Sequence, residues 1–141
     1  MNLDHIRKQL IRHEGLRLKP YHDNAVPPRL SIGVGRNLDD VGVFSDEVEL
    51  MLTNDINRSI KDLNDHLDWW NSLDEARRGV LLNMTFNMGI TGLLKFQKML
   101  AALQSGDYQK AGEEMKDSLW YKQVGVRGLE LVNQMQTGDM L

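Results

Sequence analysis

Between Leu30 and Gly35 the chain leaves the helical spacing that governs nearly all the rest of it. Leu30, Ile32 and Val34 alternate with Ser31, Gly33 and Gly35, and a period of two predicts a strand. Alternation sets the apolar trio against a core and turns Ser31, Gly33 and Gly35 toward an open face. Asp23-Asn24 and Pro27-Pro28 mark the connection back to Arg17–Tyr21, so the pair predicts a small antiparallel hairpin. One short hairpin among helical stripes confines the chain to a mostly helical α+β class.

The stripes divide the remainder. Leu3, Ile6 and Leu10 predict a first helix over 3–13, ended by Gly15, which accepts a left-handed backbone. Ser45 predicts the N-cap of a long helix with Asp46 and Glu47 in its first turn. Its stripe runs Val48, Met51, Leu52, Ile56, Ile60, Leu63, Leu67. At the usual rise that helix extends roughly 35 Å, enough to link a small lobe to a larger one. Ser72-Leu73-Asp74-Glu75 reads as a capping box, starting a helix near Leu73 that reaches Gly89. Shorter helices are expected over 92–103, 108–116 and 126–136. The expected organisation is a single domain over 1–141. It has a hairpin lobe at about 15–45, a linking helix at about 45–68, and a helical lobe at about 72–141 that also takes in helix 3–13.

Composition removes several functions. A chain of 141 residues without cysteine has no disulfide, no thiolate metal site and no thiol nucleophile. The histidines at positions 5, 13, 22 and 66 lack the spacing of a metal site, and neither metal nor cofactor is expected. A formal charge of −3 lacks the broad positive excess of a nucleic-acid binder. The first nine residues carry no apolar signal core, and no apolar run is long enough to span a bilayer, so stable membrane insertion is not expected. Gly33 and Gly35 lack the third glycine and following helix of a dinucleotide fingerprint.

What remains is a set of oxygen-bearing side chains on opposing elements. Glu14 lies at the C-terminal end of the first helix, where the helix dipole disfavours an ionised carboxylate and so suits a proton donor. Asp23 and Ser31 follow across the hairpin. Two carboxylates and a hydroxyl suit glycoside hydrolysis: one acid protonates the leaving oxygen while the other groups hold a water. Each has a plainer reading. Glu14 is also an ordinary surface glutamate, Asp23 ordinary turn chemistry, and Ser31 an ordinary strand residue.

The order of motifs weighs against the plainer readings. Glu14-Gly15-Leu16-Arg17-Leu18-Lys19, then Tyr21-His22-Asp23, then Ser31-Ile32-Gly33-Val34-Gly35 resemble the opening of the phage-type lysozymes (endolysins) of the T-even kind. Ser72-Leu73-Asp74 with Arg77-Arg78, Asn83 through Gly89, and Thr91-Gly92 form a second match. Trp120-Tyr121, Gln123, Arg127 and Thr137-Gly138 form a third. The resemblance implies a lysozyme-like fold with a cleft between the lobes. It also implies cleavage of the β-1,4 bond between N-acetylmuramic acid and N-acetylglucosamine in peptidoglycan. Glu14 would be the general acid, with Asp23 and Ser31 positioning water. Phe86 and Asn87 would contact an N-acetyl sugar, and Arg127 would stand near the general acid.

Three departures are visible. Ser31 stands where the family usually has threonine, and Arg36 where the T-even type has histidine. The connection from Asp23 to Ser31 is two residues longer than in that type, and the segment 38–45 is shorter. The resemblance further implies a monomer held in the host cytoplasm until a separate pore-forming protein gives access to the periplasm and wall, where it lyses the host. Two rivals are a lytic transglycosylase acting on the same bond, which uses a lone acid, and a non-catalytic wall-binding protein. Trp120 is expected in the core, and Trp69 and Trp70 are open to either a core or a sugar-stacking role.

Overall fold

The computed structural model describes residues 1–140, and among them seven α-helices accompany one three-stranded antiparallel sheet. This is the mostly helical, lysozyme-like α+β architecture that the periodicity and the resemblance imply. The chain divides into two compact units, Met1–Leu50 and Met51–Leu141. The first helix falls in the first unit with the sheet.

Helix α1 (Leu3–Glu14) begins at Asn2, whose side chain accepts the His5 N–H at 3.0 Å. It ends at Gly15, whose N–H bonds the Ile11 carbonyl and whose φ of +79° suits a residue without Cβ. Its apolar stripe stays open: no residue of α1 is buried, and Leu3 is 60% exposed.

Strands β1 (Arg17–His22), β2 (Leu30–Gly33) and β3 (Arg36–Asn37) lie in the order β1-β2-β3. The period of two predicts one strand through to Gly35 and no third strand. The chain instead turns at Val34-Gly35, with φ of +67° at Gly33 and +68° at Gly35. The alternate glycines thus serve a tight hairpin turn, for which positive φ is the requirement. The extra strand makes β2 central. Ser31 pairs with Tyr21 on one side and Asn37 on the other, and it is only 3% exposed. This corrects the expectation of an open face at Ser31; the exposed residues of the segment are Val34 and Gly35, in the turn.

Helix α2 (Ser45–His66) has 22 residues. Ser45 is its first helical residue and not its cap. The Phe44 carbonyl takes the Val48 N–H, and Glu47 reaches back to accept the Phe44 N–H at 2.9 Å, so the cap sits one residue earlier. The next helix shows a similar shift. The Ser72 hydroxyl donates to the Trp69 carbonyl at the end of a short 3₁₀ turn, and Asp74 caps α3 (Glu75–Leu94) by accepting the Arg77 N–H. Gly89, at φ +80° and ψ 162°, breaks α3 where the sequence placed its end.

Four further helices follow: α4 (Gln97–Gln104), α5 (Tyr108–Lys116), α6 (Leu119–Val124) and α7 (Val126–Thr137). The spacing does not predict helix α6: six residues are too few to display a period, and only the Ser118 cap, accepting from Tyr121 N–H, announces it. The buried core belongs to the second unit. Leu63, Leu81, Met84, Leu103, Met115 and Met135 are all under 2% exposed. Methionine's flexible thioether suits the irregular gaps among short helices. Trp120 packs edge-on against Phe96 with centroids 6.1 Å apart, and the Trp70 indole N–H donates to Asn64 at 2.6 Å. Trp70 is therefore a core residue, and Trp69 is half-buried against the same cluster.

Candidate active site

Glu14 closes α1, and the β2–β3 turn lies against its carboxyl group. A Cβ added at Gly35 would stand 2.8 Å from Glu14 Oε2 and 3.2 Å from its carboxyl carbon. Heavy atoms do not approach a real Cβ that closely, so the carboxyl rests on backbone that only glycine leaves bare. The glycine spacing noted in the sequence thus serves both the turn and the seat of Glu14.

Asp23 lies just past the end of β1 and organises the loop that follows. Its Oδ1 accepts the N–H of Ala25 at 3.0 Å and of Arg29 at 2.9 Å, while its own N–H donates to the Arg29 carbonyl. The two backbone donors, first Arg29 and then Ala25, hold its carboxyl below the usual carboxylate range; the Arg29 and His22 charges add to that effect. Asp23 is accordingly ionised at neutral pH. Among the described residues nothing bonds its Oδ2, which leaves that oxygen open to a water.

The ladder fixes the order of the three groups. His22 faces Leu30 at one end of β2, and Arg17 faces Gly33 at the other. The three-residue interval corresponds to about 10 Å at the usual strand rise. Asp23 follows the first end, Glu14 sits on the turn beyond the second, and Ser31 lies on the strand between. Ser31 is buried, and its hydroxyl makes no hydrogen bond with the described residues. With no protein partner, the hydroxyl retains its donor and its acceptor lone pairs.

Arg36, the first residue after the turn, ties it to the start of α2. Its guanidinium bonds Glu47 at 2.6 Å and the Gly42 carbonyl at 3.2 Å, and lies 5.5 Å from the Phe44 ring centre. The contact raises Arg36 and, with the Phe44 N–H, lowers Glu47, so both stay charged.

The expected sugar-contact residues all lie in the second unit. Phe86 is 42% exposed and lines a hollow of about 310 Å³ together with Arg127, Asn83, Leu82, Ile56 and Leu52. The structure therefore brings Phe86 and Arg127 together. Asn87 is differently employed: its Oδ1 accepts the Trp120 indole N–H at 2.8 Å, which fixes the amide so that its hydrogens and one remaining lone pair are left for a ligand. Asn83 and Asn87 are exposed, and the polar residue buried in that helix is Thr85, whose hydroxyl donates to the Leu81 carbonyl. No cluster of potential metal ligands occurs among the described residues.

Sequence reasoning missed Arg29, Asp39, Asp40 and Glu47. Arg29 pairs with Asp40, and Asp39 accepts the Leu30 N–H at 2.7 Å. The only available signal was the acidic pair after Asn37-Leu38, which by itself reads as turn chemistry.

A family profile described as Phage lysozyme matches residues 11–136. The pre-baseplate central spike protein Gp5 of Enterobacteria phage T4 is 30% identical over 159 aligned positions, covering 94% of this chain and 28% of that protein. Probable T4-type lysozyme 1 of Dictyostelium discoideum is 26% identical over 101 residues, covering 70% of this chain and 59% of the relative. Probable T4-type lysozyme 2 of the same organism is 32% identical over 71 residues, covering 50% and 42%. The chain thus spans between 28% and 59% of the lengths of these relatives.

Proposed function

From the premise that the chain belongs to the phage lysozyme family, we propose that it hydrolyses peptidoglycan at the β-1,4 bond between N-acetylmuramic acid and N-acetylglucosamine. The observation that carries this reading is the seating of Glu14 on Gly35, with Ser31 and Asp23 following in order along the same sheet. Glu14 donates a proton to the glycosidic oxygen as the bond to the anomeric carbon breaks. Asp23, ionised, offsets the positive charge that develops on the sugar ring. With Ser31 it holds a water on the opposite face; the hydroxyl of that water ends on the anomeric carbon and its proton passes to Asp23. Attack from that side inverts the anomeric centre. Inverting sites hold their carboxyl groups about 6.5–9.5 Å apart to admit the water.

In this reading Phe86 and Arg127 bind the glycan, and the Asn87 amide donates to an N-acetyl carbonyl. The biological setting is lysis of the bacterial host: the protein waits in the cytoplasm until a separate pore-forming protein opens the membrane. The spike-protein relative supports a second setting for the same chemistry, in which the wall is cut by the phage particle itself. Mass spectrometry of purified particles distinguishes the two, since only the second places the chain there.

Turbidity clearing of outer-membrane-permeabilised bacteria tests the core claim. Wild type should clear the suspension and Glu14→Gln should not. Equal clearing by both would refute the assignment. Mass spectrometry of the products separates hydrolysis from transglycosylation, because an anhydro end weighs one water less.

A further inference from the structure

The long Asp23–Ser31 connection is tied down by a second, more distant turn. We propose that Arg29, Asp39 and Asp40 form a positioning clamp that fixes the Asp23 carboxylate relative to Ser31, so that these exposed residues set the rate of the hydrolysis. The inference rests on the reading of Asp23 given above.

The links are continuous. The Arg29 main chain both donates to Asp23 Oδ1 and accepts from Asp23 N–H, so Arg29 closes the loop that Asp23 opens. The Arg29 guanidinium pairs with Asp40. Asp39 accepts the N–H of Leu30, the residue between Arg29 and Ser31. The turn carrying both acids is itself held: Asn37 Oδ1 accepts the Asp40 N–H at 2.9 Å, Asn37 Nδ2 donates to Asp40, and the Leu38 N–H donates to the Leu30 carbonyl. Asn37 is also the register partner of Ser31. Both ends of the clamp therefore meet the strand that carries the hydroxyl.

An isolated exposed ion pair contributes little to folding. The Arg29 and Asp40 side chains are about half exposed, so the pair's use is local. With the pair broken, Arg29 is free to swing its backbone N–H off Asp23 Oδ1. The carboxylate would then have the choice of two oxygens and several rotamers for one water. Misplacement of this order slows a reaction without weakening substrate binding. The charged groups facing Asp23 are Arg29 and His22, and removal of the Arg29 contact alone moves its titration toward the ordinary range.

The experiment compares wild type, Arg29→Ala, Asp40→Ala, the swap Arg29→Asp/Asp40→Arg, and Asp23→Ala on purified peptidoglycan, alongside an NMR titration of the Asp23 carboxyl. Each single clamp variant should lose about tenfold in kcat with KM within about twofold. It should also raise the Asp23 titration midpoint, while the swap restores most of kcat. The clamp is overturned if the single variants keep wild-type kcat and midpoint, or if the swap is no better than the worse single variant. Should Asp23→Ala retain full activity, the reading of Asp23 itself fails and takes the clamp with it. An inactive Asp23→Ala beside unaffected Arg29 and Asp40 variants removes the clamp alone. The NMR midpoint reads the Asp23 environment in the folded protein, independently of turnover.

Discussion

Glu14 Oε2 lies where a side chain on Gly35 would have to begin, 2.8 Å from the position of its Cβ. Gly33, two residues earlier, has nearly the same positive φ but nothing within 4 Å of its Cβ position. Gly33→Ala and Gly35→Ala thus share a backbone penalty of about 1–2 kcal/mol. Only Gly35→Ala also displaces the proposed acid. It should lose about a hundredfold in turnover, while Gly33→Ala keeps most of it. Thermal melts paired with turnover measurements check both parts.

Asp23 should contribute stability in a definite pH window. Its folded-state pKa lies below the unfolded value of 3.8, so the contribution is present above that value and lost as pH falls through the folded pKa. The gap in melting temperature between wild type and Asp23→Ala should be constant from neutral pH to about pH 5 and close on further acidification. Melts across that range measure it.

Arg36→Ala should loosen the turn that carries Gly35. Glu47 would lose the guanidinium that chiefly holds its pKa down, keeping only the Phe44 N–H. A melting temperature lower by about 3 °C at neutral pH is expected. The deficit should shrink toward low pH, where wild-type Glu47 is itself protonated, and Arg36→Lys should recover part of it.

Asn87→Ala removes the acceptor of an indole N–H whose residue is 9% exposed. The unpaired donor should cost about 1–3 kcal/mol, measured by urea unfolding. Trp120→Phe combined with Asn87→Ala should cost less than the sum of the two single changes, since the second loss has no partner left to strand.

Much of this was legible because it was local. Glu14, Asp23 and Ser31 fall within eighteen consecutive residues, and the turn and strand chemistry between them is short-range. Helix α5 was readable at its observed bounds because Gly106 and the Asp107 cap frame it. The strand ending was misread because Gly33 and Gly35 satisfy both a period of two and a tight turn, and only tertiary contact with Glu14 separates these. The caps slipped because Ser45 and Ser72 are good cap residues by type, while Phe44 and Asp74 hold the cap positions. Contacts between residues distant in sequence left no pattern at all. Arg29 and Asp40 are 11 apart within irregular segments, and Asn87 and Trp120 are 33 apart.

Ser31 is the one buried side chain in the first 50 residues, while the close-packed interior is built from Leu63 onward. The proposed reactive groups are thus mounted on a lightly filled scaffold held by hydrogen bonds and ion pairs. Such a scaffold opens readily, and its amides should exchange with deuterium long before those around Met84. It also tolerates rewriting: a longer loop, a traded hydroxyl or a new arginine can retune the chemistry while the methionine-rich interior goes on folding unchanged.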